Sequence, residues 1–336
     1  MKAMILPKIV SLHDTTSPLQ LVDLPKPKPG RREVLIRIAA CGVCHTELDE
    51  IEGRTAPVRL PVVPGHQVVG EIEAVGSEVT QRAVGQRVGV GWIFDSSGGP
   101  DENVSPQFRA TGRDADGGYA EYMTVPARYT YLIPGVFSDS EAAPLLCAGA
   151  IGYRAVRLAN IANGDLLGLT GFGGSAHLVL QLVRHIYPQT RVFVFTRDEQ
   201  SREFALQLGA VWAGETDSRS PELLHAMIDT TPAWKPVVEA MKNLRPGGRL
   251  VINAIRKEDH DKSCLLDLNY HEDLWMEKEI KSVANITRTD IEEFLPIAAE
   301  IPIQPKVETY RLEDANRAIM ELKQGSVQGA KVLLMR

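Results

Sequence analysis

The stretch DLLGLTGFGGSAHLVLQL sets Gly171, Gly173 and Gly174, followed by Ser175 and Ala176, between a run that reads as a strand and one that reads as a helix. Glycines in that context can hold a pyrophosphate. The first permits a tight bend, the second lets the backbone approach the phosphates at the helix N-terminus, and a small third residue lets helix and strand pack closely. Ala176 takes that third position. A plain strand-to-helix turn with incidental glycines is the bland alternative, but the next strand, RVFVFT, falls where a nucleotide-binding unit needs it. An Asp or Glu at the end of that strand would bind a ribose 2′-hydroxyl. This chain has Thr196 and Arg197 there. A hydroxyl and a guanidinium suit a 2′-phosphate, so NADP(H) is expected over NAD(H). Asp198 and Glu199 weaken the local positive field, and Arg197 could instead merely open the following helix in solvent.

The second set of chemically capable residues lies in three separate segments. They are Cys41-Gly-Val-Cys44-His45-Thr46-Glu47, Pro64-Gly65-His66-Gln67 and Leu145-Leu146-Cys147-Ala148-Gly149. Four cysteines in 336 residues are too few for a disulfide scaffold, so free thiols or metal ligands are the better reading. Taken singly, Cys41 and Cys44 could be a redox pair, Cys147 a core thiol and His66 a turn histidine.

With these three segments and the glycine turn, the chain resembles the zinc-containing alcohol dehydrogenases of the medium-chain dehydrogenase family, nearly from end to end. The resemblance implies a catalytic zinc held by Cys44, His66 and Cys147, with a fourth position open for water or substrate. Thiolates and imidazole are preferred zinc ligands, and an open position is the mark of a catalytic site. It further implies that Thr46 hydrogen-bonds the substrate oxygen and passes its proton outward, that His45 contacts the cofactor pyrophosphate, and that Glu47 orients the zinc-bound imidazole. Gln67 stands where the family often has a Glu beside the metal. Cys41 and Cys264 match no ligand position.

The chain also departs from the family. A structural zinc held by four cysteines is common in a lobe near residues 95–110, but no cysteine lies between 45 and 146 here, so one catalytic zinc and no structural zinc are expected. Asp49 replaces a histidine that often ends the proton path; a carboxylate can accept a proton, although its ordinary pKa is ~3.9 against ~6.5. Ile151 and Ala330 replace a hydroxyl residue and an arginine. Two competing readings remain at this point: a zinc-free reductase of activated double bonds, which would lack the three ligands, and a dinucleotide-binding protein without catalysis.

These residues need two kinds of scaffold. Residues 1–150 carry short apolar runs between turn signals, such as EVLIRIAACGV and VVGEIEAVGSEV, which predict a mixed β domain; the resemblance makes it a GroES-like catalytic domain. In 151–286, strands alternate with helices, which predicts a doubly wound parallel sheet of the Rossmann type, an α/β fold. Residues 287–336 are expected to return to the first domain. SDSEAAPLLCAGAIGYRAVRLA has helical spacing and a Ser/Asp start, and IKSVANIT is a candidate edge strand for pairing into a homodimer or homotetramer. A formal net charge of −6 without a basic block argues against nucleic acid. No apolar run reaches the ~18–20 residues that span a bilayer. The N-terminus lacks a signal-peptide pattern, so the cytoplasm is the expected compartment.

Overall fold

A computed structural model describes every residue except 302, 304, 326–328 and 336. The chain forms two compact units, one of residues 1–150 with 285–336 and one of residues 151–284.

The first unit is built on a seven-stranded sheet. Its main path runs Val307–Arg311, Ala330–Leu334, Glu33–Val43, Gln67–Val75, Arg87–Val90, Tyr131–Leu132, with Tyr122–Pro126 added onto Glu33–Val43. Glu33–Val43 is the hub, pairing antiparallel with three strands. Its β-branched and small side chains are almost all buried, as a strand covered on both faces requires. Gly42 sits opposite Gln67, and a Cβ there would lie 2.3 Å from the Gln67 Oε1, so glycine leaves room for the Gln67 side chain. The hub runs directly into the short helix His45–Ile51.

The second unit holds a six-stranded parallel sheet in the order Trp212–Gly214, Arg191–Phe195, Leu166–Thr170, Leu224–Asp229, Leu244–Ile252, Glu279–Ser282. Counted along the chain this is 3-2-1-4-5-6, the doubly wound arrangement whose ligand crevice opens where the order reverses, outside the carboxyl ends of the strands. That reversal lies between Leu166–Thr170, which ends at the glycine turn, and Leu224–Asp229.

Three local readings need correction. Residues 139–159 are not one regular helix: Asp139–Pro144 and Ala150–Ala159 are α-helical, but Leu145–Gly149 between them is a π-turn that carries Cys147. Pro144 lacks the N–H that would continue the α ladder, and π-turns tend to occur at functional positions. The edge strand is confined to Glu279–Ser282, so VANIT is not part of it. Two strands with weak local signals, Trp212–Gly214 and Leu224–Asp229, complete the sheet.

Candidate active site

The metal residues come from three different elements of the first unit. Cys44 is the residue preceding the helix His45–Ile51, His66 immediately precedes the strand Gln67–Val75, and Cys147 sits on the π-turn. Their ligand atoms all lie within 4.8 Å of one another, and the two sulfurs are 4.0 Å apart. Zn–S bonds of ~2.3 Å at a tetrahedral angle put two sulfurs about 3.8 Å apart, so the donor set fits zinc in type and spacing.

One carboxylate organises two of the three. Glu47 accepts the Cys44 backbone N–H at 2.7 Å through one oxygen and contacts the His66 Nδ1 at 2.6 Å through the other. That contact assigns the ring proton to Nδ1 and leaves Nε2 for a metal. His66 is buried, and its Nε2 has no hydrogen-bond partner among the described residues.

Without a metal the three groups are electrostatically coupled. The hydrogen bond to Cys147, with His66 assisting against burial, holds the Cys44 thiol well below its ordinary range. The same bond, together with burial, pushes Cys147 well up. Burial pulls the imidazole of His66 down, but Glu47 and Cys44 more than offset it and hold it protonated well above its usual range. Binding a divalent cation at such a cluster releases whatever protons its ligands hold.

Around it, the Thr46 hydroxyl lies 3.6 Å from the Cys44 sulfur and is buried, whereas His45 is exposed. Gln67 is buried over Gly42. Asp49 is buried as well, and its Oδ1 accepts from the Arg54 Nε at 2.5 Å. Cys41 is buried beside Gly65 and Gly118, outside the metal cluster.

In the second unit, Gly171 has φ +75°, a backbone that L side chains rarely adopt, and an added Cβ would fall 2.8 Å from the Thr231 Cγ2. Gly173 has open space around it, and Gly174 and Ser175 are partly exposed. The helix Ala176–Ile186 starts with Ala176 fully buried and no side-chain cap from Ser175. The N–H groups of His177 and Leu178 turn back to the carbonyls of Gly173 and Ser175, at 3.4 and 3.1 Å, so no side chain blocks the helix N-terminus, the kind of place where an anion binds.

A polar knot at the ends of the two central strands supports the turn. Asp229 accepts from the Thr170 hydroxyl at 2.5 Å and from the Thr231 hydroxyl at 2.8 Å, and is ion-paired with Lys257. Lys257 also donates to the carbonyls of Thr231 and Ala233, each at 2.8 Å. Sequence reasoning missed both residues; the one available signal was an Asp ending an otherwise apolar run.

After the strand Arg191–Phe195, Thr196 is buried and Arg197 exposed. Asp198 caps the next helix by accepting the Ser201 N–H at 2.7 Å, which holds its carboxyl below the ordinary range. A second guanidinium that sequence reasoning overlooked, Arg202, donates to the carbonyls of Thr196 and Arg197 at 2.8 and 2.9 Å.

The lobe at 95–110 is closed by hydrogen bonds. The Ser96 hydroxyl donates to the Glu102 carbonyl at 2.7 Å, and Arg128 donates to Asp95 and to the Ser96 carbonyl at 2.6 and 2.7 Å. The Glu102 carboxylate is buried and accepts from the Tyr129 hydroxyl and from the Arg288 N–H, at 2.9 and 2.6 Å.

Residues 30–135 match the alcohol dehydrogenase GroES-like domain family. The chain is 42% identical over 331 residues to the Probable alcohol dehydrogenase AdhA of Mycobacterium tuberculosis, covering 95% of this chain and 94% of that one. It is 33% identical over 344 residues to an alcohol dehydrogenase of Geobacillus stearothermophilus, covering 97% and 99%. Among solved structures, that of an NAD-dependent alcohol dehydrogenase superposes over all of both chains with a TM-score of 0.86 at 22% identity, a likeness of fold.

Proposed function

The chain belongs to the medium-chain zinc alcohol dehydrogenase family, and from that premise we propose how its own residues divide the work. It is a zinc-dependent oxidoreductase that exchanges a hydride between an alcohol and NAD(P), giving the aldehyde or ketone. The observation that carries the assignment is the convergence of Cys44, His66 and Cys147 from three elements onto one point.

Those three residues would hold the zinc, with Glu47 fixing the His66 ring. When bound, zinc supplies Lewis acidity toward the alcohol oxygen, and the dinucleotide supplies the hydride acceptor. Thr46 would accept the substrate's hydroxyl proton at its Oγ1 while releasing its own hydroxyl proton outward to solvent. His45, exposed at the start of its helix, is assigned to the cofactor pyrophosphate. Gly171, Gly173, Gly174, Ser175 and Ala176 receive it at the helix N-terminus. Asp49 is better matched to holding Arg54 than to receiving the proton, because its Oδ1 is already engaged there. The serine-based closure of residues 95–110 supports a single zinc per chain.

NADP(H) is the preferred cofactor in this reading. Asp198 spends its carboxylate on the helix cap, which leaves the exposed Arg197 free to meet a 2′-phosphate beside Thr196. Arg202 adds a second positive charge at the same turn. The kcat/KM with NADPH should exceed that with NADH, and Arg197→Ala should weaken NADPH by about 1.5–3 kcal/mol, the scale of hydrogen bonds to charged groups, with NADH nearly unaffected. Equal loss with both cofactors would remove Arg197 as the reader of the 2′ position.

For assembly, we assign pairing between copies to the strand Glu279–Ser282. It ends the sheet, all four residues are exposed, and Trp275, Met276 and Ile280 are exposed on or beside it. Sedimentation at micromolar concentration should give a dimer or tetramer, and a monomer would refute this. Among the described residues no helix is long and apolar enough to cross a membrane. The free cysteines suit the reducing cytoplasm.

A further inference from the structure

Glu50 is used by none of the steps above. It lies one turn beyond Glu47 on the helix His45–Ile51, so the two carboxylates share a helix face. Its side chain is buried, at 1% exposure, and among the described residues neither carboxylate oxygen has a hydrogen-bond partner. Burial, with the nearby Glu47 and Cys44, pushes its carboxyl well above the ordinary range, while His66 and Arg113 pull it the other way, so it lies in the field of the metal residues although it is not one of the three. Arg113 is directed elsewhere: its Nε and Nη2 both donate to Asp114, at 2.9 and 2.6 Å. Gln67, next to the ligand His66, brings no charge. A buried carboxyl without partners stays neutral unless a cation answers its charge, and a divalent ion held by two thiolates and an imidazole is the one that this site is built to take.

We propose that Glu50 is a positioning residue of the metal centre, a carboxylate held behind the ligands whose charge retains the divalent ion without being needed for the fold. This rests on the reading that Cys44, His66 and Cys147 bind zinc.

The proposal makes two quantities move differently. In the metal-free protein Glu50 has no hydrogen-bond partner among the described residues, and burial favours its neutral form, so the amide of Glu50→Gln, close to it in size and shape, should leave stability unchanged or raise it. In the zinc-loaded protein the same change removes an attraction. The test takes full-length wild type, E50Q and E50D, each loaded with one equivalent of Zn²⁺. Competition with a chromophoric chelator then gives zinc retention, and thermal unfolding of the stripped forms gives Tm. E50Q should hold zinc about 10–100-fold less tightly, the usual cost of losing an outer partner of a metal site, with the stripped-form Tm at or above wild type. E50D, which keeps the charge, should fall closer to wild type. Zinc retention by E50Q within ~3-fold of wild type, or retention and stripped-form Tm falling together, would overturn the proposal. Wild type that holds no zinc would instead refute the ligand assignment on which it stands.

Discussion

Cys44→Ser should abolish turnover and metal retention while leaving both units folded. The serine hydroxyl is neutral and a poor zinc ligand, so the site would keep one thiolate and one imidazole, and its affinity would collapse. Loss of a Lewis acid that contributes several kcal/mol to the barrier lowers kcat by about 10³-fold or more, at 1.36 kcal/mol per factor of ten. Besides His66, the sulfur meets the Thr46 hydroxyl at 3.6 Å, the Cys147 sulfur at 4.0 Å and the Glu47 N–H of the capping box, which a serine hydroxyl can also accept, while the hydrogen bond that fixes the local backbone comes from the Cys44 N–H to Glu47. The measurements are metal content after dialysis, kcat, and circular dichroism with Tm as the control for folding. Wild-type turnover in a metal-free C44S protein would contradict the ligand assignment.

Gly171→Val should abolish dinucleotide binding and leave the zinc in place. The φ of +75° costs an L residue roughly 1–2 kcal/mol before any clash, and a β-branched side chain is the least tolerant of it. Its Cβ would lie 2.8 Å from the Thr231 methyl and 3.0 Å from the Thr230 hydroxyl. Neither threonine can give way easily. Thr230 bonds back to the Thr170 carbonyl at 3.0 Å, and Thr231 is tied to Asp229 within the Lys257 knot. The turn must therefore move, and with it the helix amides that face the pyrophosphate. Titration of G171V with NADPH, followed by fluorescence, should show affinity reduced at least ~100-fold, the scale of a helix-terminus anion site combined with charge-assisted hydrogen bonds. Zinc content should stay at the wild-type value. Unchanged NADPH affinity would mean that the cofactor binds elsewhere.

Much of this was legible in the sequence because the relevant constraints are local. A glycine turn has to lie between a strand and a helix, and the three metal segments carry their own small-residue signatures. What stayed hidden depends on partners distant in the chain. The strand Leu224–Asp229 contains His225 and Asp229, which interrupt an apolar pattern. Each is satisfied across the sheet, His225 by the Leu166 N–H at 3.0 Å and Asp229 by Thr170 and Lys257. The helix His45–Ile51 is a sharper case. Four of its seven residues are Thr46, Glu47, Asp49 and Glu50, a composition that reads as solvent-exposed, and all four are buried. Only the metal residues, Arg54 and the surrounding core explain that burial, and none of these is visible from helix periodicity. The π-turn at Leu145–Gly149 escaped for a related reason. A five-residue widening leaves the average spacing of 139–159 helical while redirecting the one side chain that matters.

The central claim is that one zinc, held by Cys44, His66 and Cys147, enables hydride transfer from an alcohol to NAD(P). The most direct test is to strip the protein with a chelator and titrate it with Zn²⁺ while following alcohol-dependent formation of NADPH by absorbance. Activity should start near zero, rise linearly and stop at one equivalent of zinc per chain. Full activity in the stripped protein, or a rise that continues to two equivalents, would contradict the account.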